Sequence, residues 1–434
     1  MNWRQIYKSR LTTAEEAVKS VRSGDGVVPS HAAAEPKHLI NALMARKDEL
    51  KGVEIWQGLN IGDAPYAKPE CAGHFVNVSF FLGKNNRKCI QSGQGEFVPI
   101  HFYAQPRAIR ESLVKCDVAM ISCTPPDENG YVNMGVSCDQ TRIAVEKARV
   151  TIAQVNKKVP YTCGDTLIHV SEIDHFVEYD EDLYEISLIE SDPISEKIGY
   201  NIAGLINDGD TLQMGQGKIP NAILKFLADK KDLGIHSEVF SDNLIPLVKS
   251  GVVNGAKKTI NKGKIVATFI QGTRDVYDFV DRNNMICLKP VDYTNDVSVI
   301  AQNDNMVAIN SALEVDLMGQ VVADSIGYKT FSGVGGQLDF LRGTEQSKNG
   351  RPIIALPSTA KNGTISRIVA VLKPGTPVTT TRQDVHYVVT EYGVANLFGK
   401  PIRERAKLLT NIAAPKFREQ LEREFFNYYK SIGE

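Results

Sequence analysis

The sequence predicts an α/β protein built as a tandem duplication of one open, largely parallel unit. Two observations carry this. Short β-branched runs alternate with amphipathic helical stretches along all 434 residues, the pattern of helices packed on a parallel sheet. And a series of stretches in the first half recurs in the second half in the same order. The length exceeds that at which a single core usually stops growing, which also favours two domains. We place copy one at 1–192 and copy two at 193–434. The joint at Glu190-Ser191-Asp192-Pro193 is polar and proline-marked, too short for a flexible tether.

The repeats run as follows. SGDGVVPSHAAAEPKHLINAL (Ser23–Leu43) matches DGDTLQMGQGKIPNAILKFL (Asp208–Leu227): Gly-Asp, an apolar strand, a small-residue loop, a proline, a helix. LKGVEIWQ (Leu50–Gln57) stands where LGIHSEVF (Leu233–Phe240) stands in copy two. DVAMISCTPPDENGYVN (Asp117–Asn133) aligns without a gap on MVAINSALEVDLMGQVV (Met306–Val322), pairing Asp127 with Asp316 and Gly130 with Gly319. ARVTIAQVN (Ala148–Asn156) matches GRPIIALPS (Gly350–Ser358), and His175-Phe176-Val177 matches His386-Tyr387-Val388. Lys416–Lys430 closes the chain as a charged amphipathic helix.

Chemistry concentrates where the copies diverge. Gly209–Asn243 reads as a strand (Asp210–Met214), a glycine-rich loop (Gly215–Ile219), a helix from Pro220 to about Lys231 and a second strand (Ile235–Phe240). Pro220 suits a first helical turn, and Ile223, Leu224, Phe226 and Leu227 give the helix an apolar face. Gly215 and Gly217 let backbone amides approach a ligand closely. The second strand delivers Glu238, an acid where a half-buried strand would favour an apolar residue. A donor-rich loop beside a carboxylate suggests acyl chemistry; a tight turn with a solvated edge glutamate is the alternative. Copy one carries the bulkier Ser30-His31-Ala32-Ala33 at the loop position. Copy two alone carries Ser332–Phe340, SGVGGQLDF.

Bulk properties exclude other classes. Lys+Arg (50) balance Asp+Glu (51) with no basic block, so no nucleic-acid or membrane partner is indicated. The first residues lack the apolar core of a signal peptide, and no run is long enough to span a membrane. Seven cysteines without a CxxC pair suggest reduced thiols in a cytoplasmic protein, with neither disulfides nor zinc.

GQGKIPNA, SEVFSDN, FSGVGGQLDF, LPSTAKNGTISRIV and TEYGVANLFGKPIRERAKLL together resemble the acetyl-CoA hydrolase/transferase family of coenzyme A transferases, within it the 4-hydroxybutyrate and butyryl-CoA:acetate types. The resemblance spans essentially the whole chain. It implies tandem domains of the isomerase/CoA-transferase-like fold with the active site between the copies. It puts the nucleophilic glutamate at Glu238. CoA contacts fall on Gln213, Met214, Gly215, Gln216, Gly217, Lys218 and Ile219, and on Leu313, Gly336 and Lys361. Lys218 departs from the small residue that relatives often show there.

The implied reaction needs no tightly bound cofactor, with coenzyme A entering as acyl-CoA substrate. Glu238 attacks the acyl-CoA carbonyl, the thiolate attacks the resulting anhydride, and a second carboxylate reverses the sequence. Amides around Gly215–Lys218 are candidates for the oxyanion hole. Lys361 is either a partner for a CoA phosphate or a solvated lysine. His31 either faces the substrate carboxylate or is a satisfied structural histidine. The competing readings are an acyl-CoA hydrolase and, from another class, a sugar-phosphate isomerase or ligand-sensing module. A homo-oligomer is expected.

Overall fold

The computed structural model describes residues 2–431. They form two compact units, described here separately. Of the described residues, the first comprises 2–187, 239–242 and 266–294; the second comprises 188–238, 243–265 and 295–431.

The first unit holds a seven-stranded sheet in the order Glu96–Phe97, Phe75–Phe81, Val53–Leu59, Gly26–Pro29, Val118–Cys123, Val150–Val155, His175–Glu178. Every neighbouring pair is parallel. Val118–Cys123 is buried along its whole length, as expected of a central parallel strand covered on both faces. Two segments from later in the chain join this unit through backbone hydrogen bonds. Val239–Phe240 pairs with Phe269–Ile270, the Ile270 N–H donates to the Val136 carbonyl (2.8 Å), and Val291 donates to Asp139 (3.2 Å).

The second unit holds six strands in the order Gly234–Ile235, Thr211–Met214, Met306–Ser311, Arg351–Ala355, Tyr387–Thr390, Gly393–Asn396. The first five are parallel and the last closes the edge as an antiparallel hairpin. Its first five strands correspond, one for one and in the same order, to five strands of the first unit. The match extends to a turn. Asp127 Oδ1 accepts from the N–H groups of Asn129 and Tyr131 (both 2.9 Å), and Asp316 Oδ1 accepts from Met318 (3.0 Å) and Gln320 (2.9 Å). Gly130 and Gly319 follow with φ of +88° and +96°, a region that favours glycine. The duplication read from the sequence is thus present as repeated topology.

Two elements differ from expectation. The helix after the glycine loop spans Lys218–Leu224 and stops short of Lys231. Beyond it Phe226 and Leu227 make i→i−3 bonds, which bury Leu227 and leave Phe226 37% exposed; the Lys231 N–H is then taken by Asp208 Oδ1 (2.8 Å). The expected strand Ile235–Phe240 is two short strands, Gly234–Ile235 and Val239–Phe240, in different sheets. Glu238 therefore sits in a bend rather than on a strand.

A buried acid lies in the first unit. Glu35 is 4% exposed, and its Oε2 accepts from Gln57 Nε2 (2.5 Å), Asn60 Nδ2 and the Tyr66 hydroxyl (both 3.2 Å). Burial outweighs these neutral donors and raises its pKa. An unfolded glutamate titrates near about 4.3, below the folded value, so the folded state holds the proton more tightly. The stabilisation is complete below the unfolded value and is lost as pH rises through the folded one. Glu35→Gln, which cannot titrate, should narrow the fall in melting temperature between pH 5 and pH 8. Thermal unfolding across that range checks this; an equal fall in parent and variant would refute it.

Candidate active site

The site is assembled within the second unit. Thr211–Met214 is fully buried, and burial decreases through Gly215, Gln216 and Gly217 to an exposed Lys218. Gly217 has φ +137°, which L-residues rarely adopt, so glycine there is a conformational requirement. Gly215 is different: its φ is not positive, and a Cβ built on it would meet nothing within 4 Å. Open space over that backbone is what a close-lying ligand needs.

The side chains of the strand end serve the fold. Gln213 is 4% exposed, and its Oε1 accepts from the Ile309 N–H (3.1 Å) and Asn310 Nδ2 (3.0 Å). Met214 and Ile219 are core residues. Lys218 is paired with Asp192 (2.9 Å), whose carboxyl it holds down to about 2.

Glu238 is pinned beside this loop. Ser237, directly before it, donates from Oγ to the carbonyl of Met214, the residue directly before Gly215 (3.0 Å). This bond replaces the ladder where the chain leaves the sheet. Asn243 Nδ2 makes a further tie to Asn221 Oδ1 on the helix that follows the loop.

The half-buried Glu238 carboxylate is held by a residue the sequence did not mark. Asn295, fully buried, donates from Nδ2 to Glu238 Oε1 at 2.6 Å. The same nitrogen donates to Asp339 Oδ2 at 3.2 Å, and Asp339 is 2% exposed. Gly336 presses against this cluster: a Cβ on it would lie 2.7 Å from Glu238 Cδ and overlap Oε1 and Asn295 Nδ2. Gly336 also caps the ten-residue helix Gln337–Gln346, and the partial positive charge of that helix end favours an ionised carboxylate. The structure thus joins the second glycine run to the glutamate.

The surroundings of the other expected residues are as follows. Leu313 is half-buried, its N–H bonded to the Val322 carbonyl (2.8 Å). Lys361 is exposed at the tip of a hairpin between Thr359–Ala360 and Ile365–Ser366. His31, in the first unit, is 4% exposed between Phe102 and Phe269, with Nδ1 3.0 Å from Asp139 Oδ2. Burial opposes the charge on Asp139, but His31, the Gln140 N–H and Ser137 overcome it and lower its pKa. Among the described residues no group of three His, Cys, Asp or Glu side chains is placed to hold a metal. No helix among them is long and apolar enough to cross a membrane.

Asn295 and Asp339 escaped the sequence reading because nothing local distinguishes them. Asn295 follows a short helix in a polar stretch, and Asp339 reads as an ordinary first-turn acid.

Comparison with known proteins yields full-length matches. The acetyl-CoA hydrolase/transferase N-terminal domain model matches residues 1–187, and its C-terminal domain model matches 272–425. The chain is 50% identical to a 4-hydroxybutyrate coenzyme A transferase of Clostridium kluyveri, over 98% of this chain and 99% of that protein. It is 37% identical to a butyryl-CoA:acetate CoA-transferase of Anaerostipes caccae, over 97% of each. A crystal structure of a 4-hydroxybutyrate CoA-transferase from Porphyromonas gingivalis superposes with a TM-score of 0.86 at 41% identity, covering 98% of this chain and 100% of that one.

Proposed function

The chain belongs to the acetyl-CoA hydrolase/transferase family and is a CoA-transferase, and we propose that it moves coenzyme A between short-chain carboxylates through a thioester on Glu238. The proposed donor is 4-hydroxybutyryl-CoA or butyryl-CoA, with acetate as the partner acid. The observation that carries the assignment of Glu238 is its placement: a half-buried carboxylate, gripped by a buried amide and tied by Ser237 to the glycine loop.

A carboxylate oxygen of Glu238 attacks the acyl carbonyl, the C–S bond breaks, and CoA leaves as thiolate from an acyl-glutamyl anhydride. The thiolate then attacks the glutamyl carbonyl, releasing the first acid and leaving CoA on Glu238 as a thioester. Acetate repeats both steps in reverse and departs as acetyl-CoA. Electrons and protons balance throughout, because one carboxylate leaves for each that enters. Gly215, Gln216, Gly217 and Lys218 contribute backbone amides to the CoA site in this reading; Gln213, Met214 and Ile219 contribute through the backbone they position. Gly336, Leu313 and Lys361 are further proposed CoA contacts. The packing of His31 against Asp139 favours its structural role. A cytoplasmic setting fits the seven cysteines, all of them free thiols, and a homo-oligomer is part of the same proposal.

The rival within the family is hydrolysis, which differs only in whether water reaches the glutamyl adduct. Acyl-CoA consumption should rise at least about tenfold when acetate is added, a barrier difference of roughly 1.4 kcal/mol. Equal rates with and without acetate would identify a hydrolase.

A further inference from the structure

We propose that Asp339 is a positioning residue for the nucleophile: it fixes the Asn295 side chain so that the amide nitrogen, and not the amide oxygen, faces Glu238. This rests on the reading of Glu238 as nucleophile.

An asparagine amide presents a donor on one side and an acceptor on the other, and a half-turn about its last bond exchanges them. Asn295 Nδ2 carries two hydrogens, and the structure gives it two carboxylate acceptors, Glu238 Oε1 at 2.6 Å and Asp339 Oδ2 at 3.2 Å. In the flipped amide, Oδ1 would face both anions, replacing two charge-assisted bonds with two repulsive contacts. Among the described residues Oδ1 meets no hydrogen-bond donor, so no protein group on the oxygen side sets the orientation. The two acids set it.

Their contributions diverge during turnover. While Glu238 is a free carboxylate it helps to hold the amide. Once acylated or bound to CoA, it has lost its charge and its grip on Nδ2 weakens. Asp339 takes no part in bond making and keeps its place through both intermediates. It therefore keeps an N–H directed at the glutamyl carbonyl, the atom that gathers negative charge when thiolate or carboxylate attacks. Its place in the first turn of Gln337–Gln346 makes the arrangement rigid, since the helix start carries both Asp339 and Gly336.

The test is a double-mutant cycle on kcat with acyl-CoA and acetate. Asp339→Asn, which keeps the shape and removes the charge, should lower kcat about tenfold while KM for acyl-CoA changes less than about twofold. In an Asn295→Ala background the same substitution should cost less than about twofold further, because the group it acts through is gone. Equal losses in the two backgrounds, or no loss in either, would overturn the proposal. Asp339→Ser replaces Asp339→Asn under the same criteria if the latter does not fold. Borohydride capture of the adduct in the parent enzyme runs alongside. A parent adduct on Glu238 with an additive cycle overturns the role of Asp339 alone, whereas an adduct elsewhere overturns the nucleophile reading.

Discussion

Glu238→Ala should abolish CoA transfer, lowering kcat by roughly 10⁴-fold or more, the scale on which loss of a covalent nucleophile is felt. Acyl-CoA binding should remain measurable, because the glycine loop is built by Thr211–Met214 and Gly217 and does not depend on the Glu238 side chain. Glu238→Asp should lose about 10²-fold: the shorter arm draws the carboxylate back by about 1 Å and away from Asn295 Nδ2. The covalent evidence is decisive. Incubation with acyl-CoA, reduction with borohydride and peptide mapping should find Glu238 converted to its alcohol. Full transferase activity with the label on another carboxylate, or with no label, would refute the mechanism.

The two glycine runs should respond differently to the same change. At Gly336 the backbone is unstrained, with φ −103°, but a methyl group would collide with Glu238 and Asn295. Gly336→Ala should therefore displace the carboxylate and cut kcat about 10²-fold, the cost of a misplacement of about 1 Å. At Gly215 the methyl enters open space. Gly215→Ala should melt with the parent and keep its kcat, while Gly215→Val should raise KM for acyl-CoA more than KM for acetate. Steady-state kinetics and thermal unfolding of the three variants separate these effects. If Gly336→Ala retained parental kcat, the contact between that glycine and the glutamate would have no bearing on catalysis.

This contrast refines the sequence-based expectation, in which Gly215 allowed close approach of a ligand and Gly336 was a CoA contact. For Gly215 the geometry agrees. Gly336 is first a packing necessity for the Glu238 carboxylate, and the difference lies in which atoms surround each Cα. A glycine in a sequence signals that a side chain is unwelcome; it does not say whether the obstacle is a ligand, a neighbour or the backbone angle. Gly217 illustrates the third case, with its φ of +137°.

What the sequence determined by itself was the architecture, an α/β unit present twice. The alternation of strands and helices and its repetition follow from short-range patterns: β-branched runs, Gly-Asp turns, and the Asp127 and Asp316 turns with their left-handed glycines. Each such signal is local, so the chain displays it without folding. Where local signals competed, it misled. The Ile235–Phe240 run looks like one strand, yet Ser237 bonds to Met214 and Val239–Phe240 pairs with Phe269–Ile270. Tertiary hydrogen bonds thereby overrode β-propensity and put Glu238 in a bend. Only the tertiary structure decided what holds that glutamate. Asn295 and Asp339 are 57 and 44 residues apart in sequence from the groups they engage. Both are commonplace polar residues until folding removes water from around them. The hydrogen bonds that Asn295 donates to Glu238 and to Asp339 acquire their strength from that burial, and burial is a property of the assembled fold.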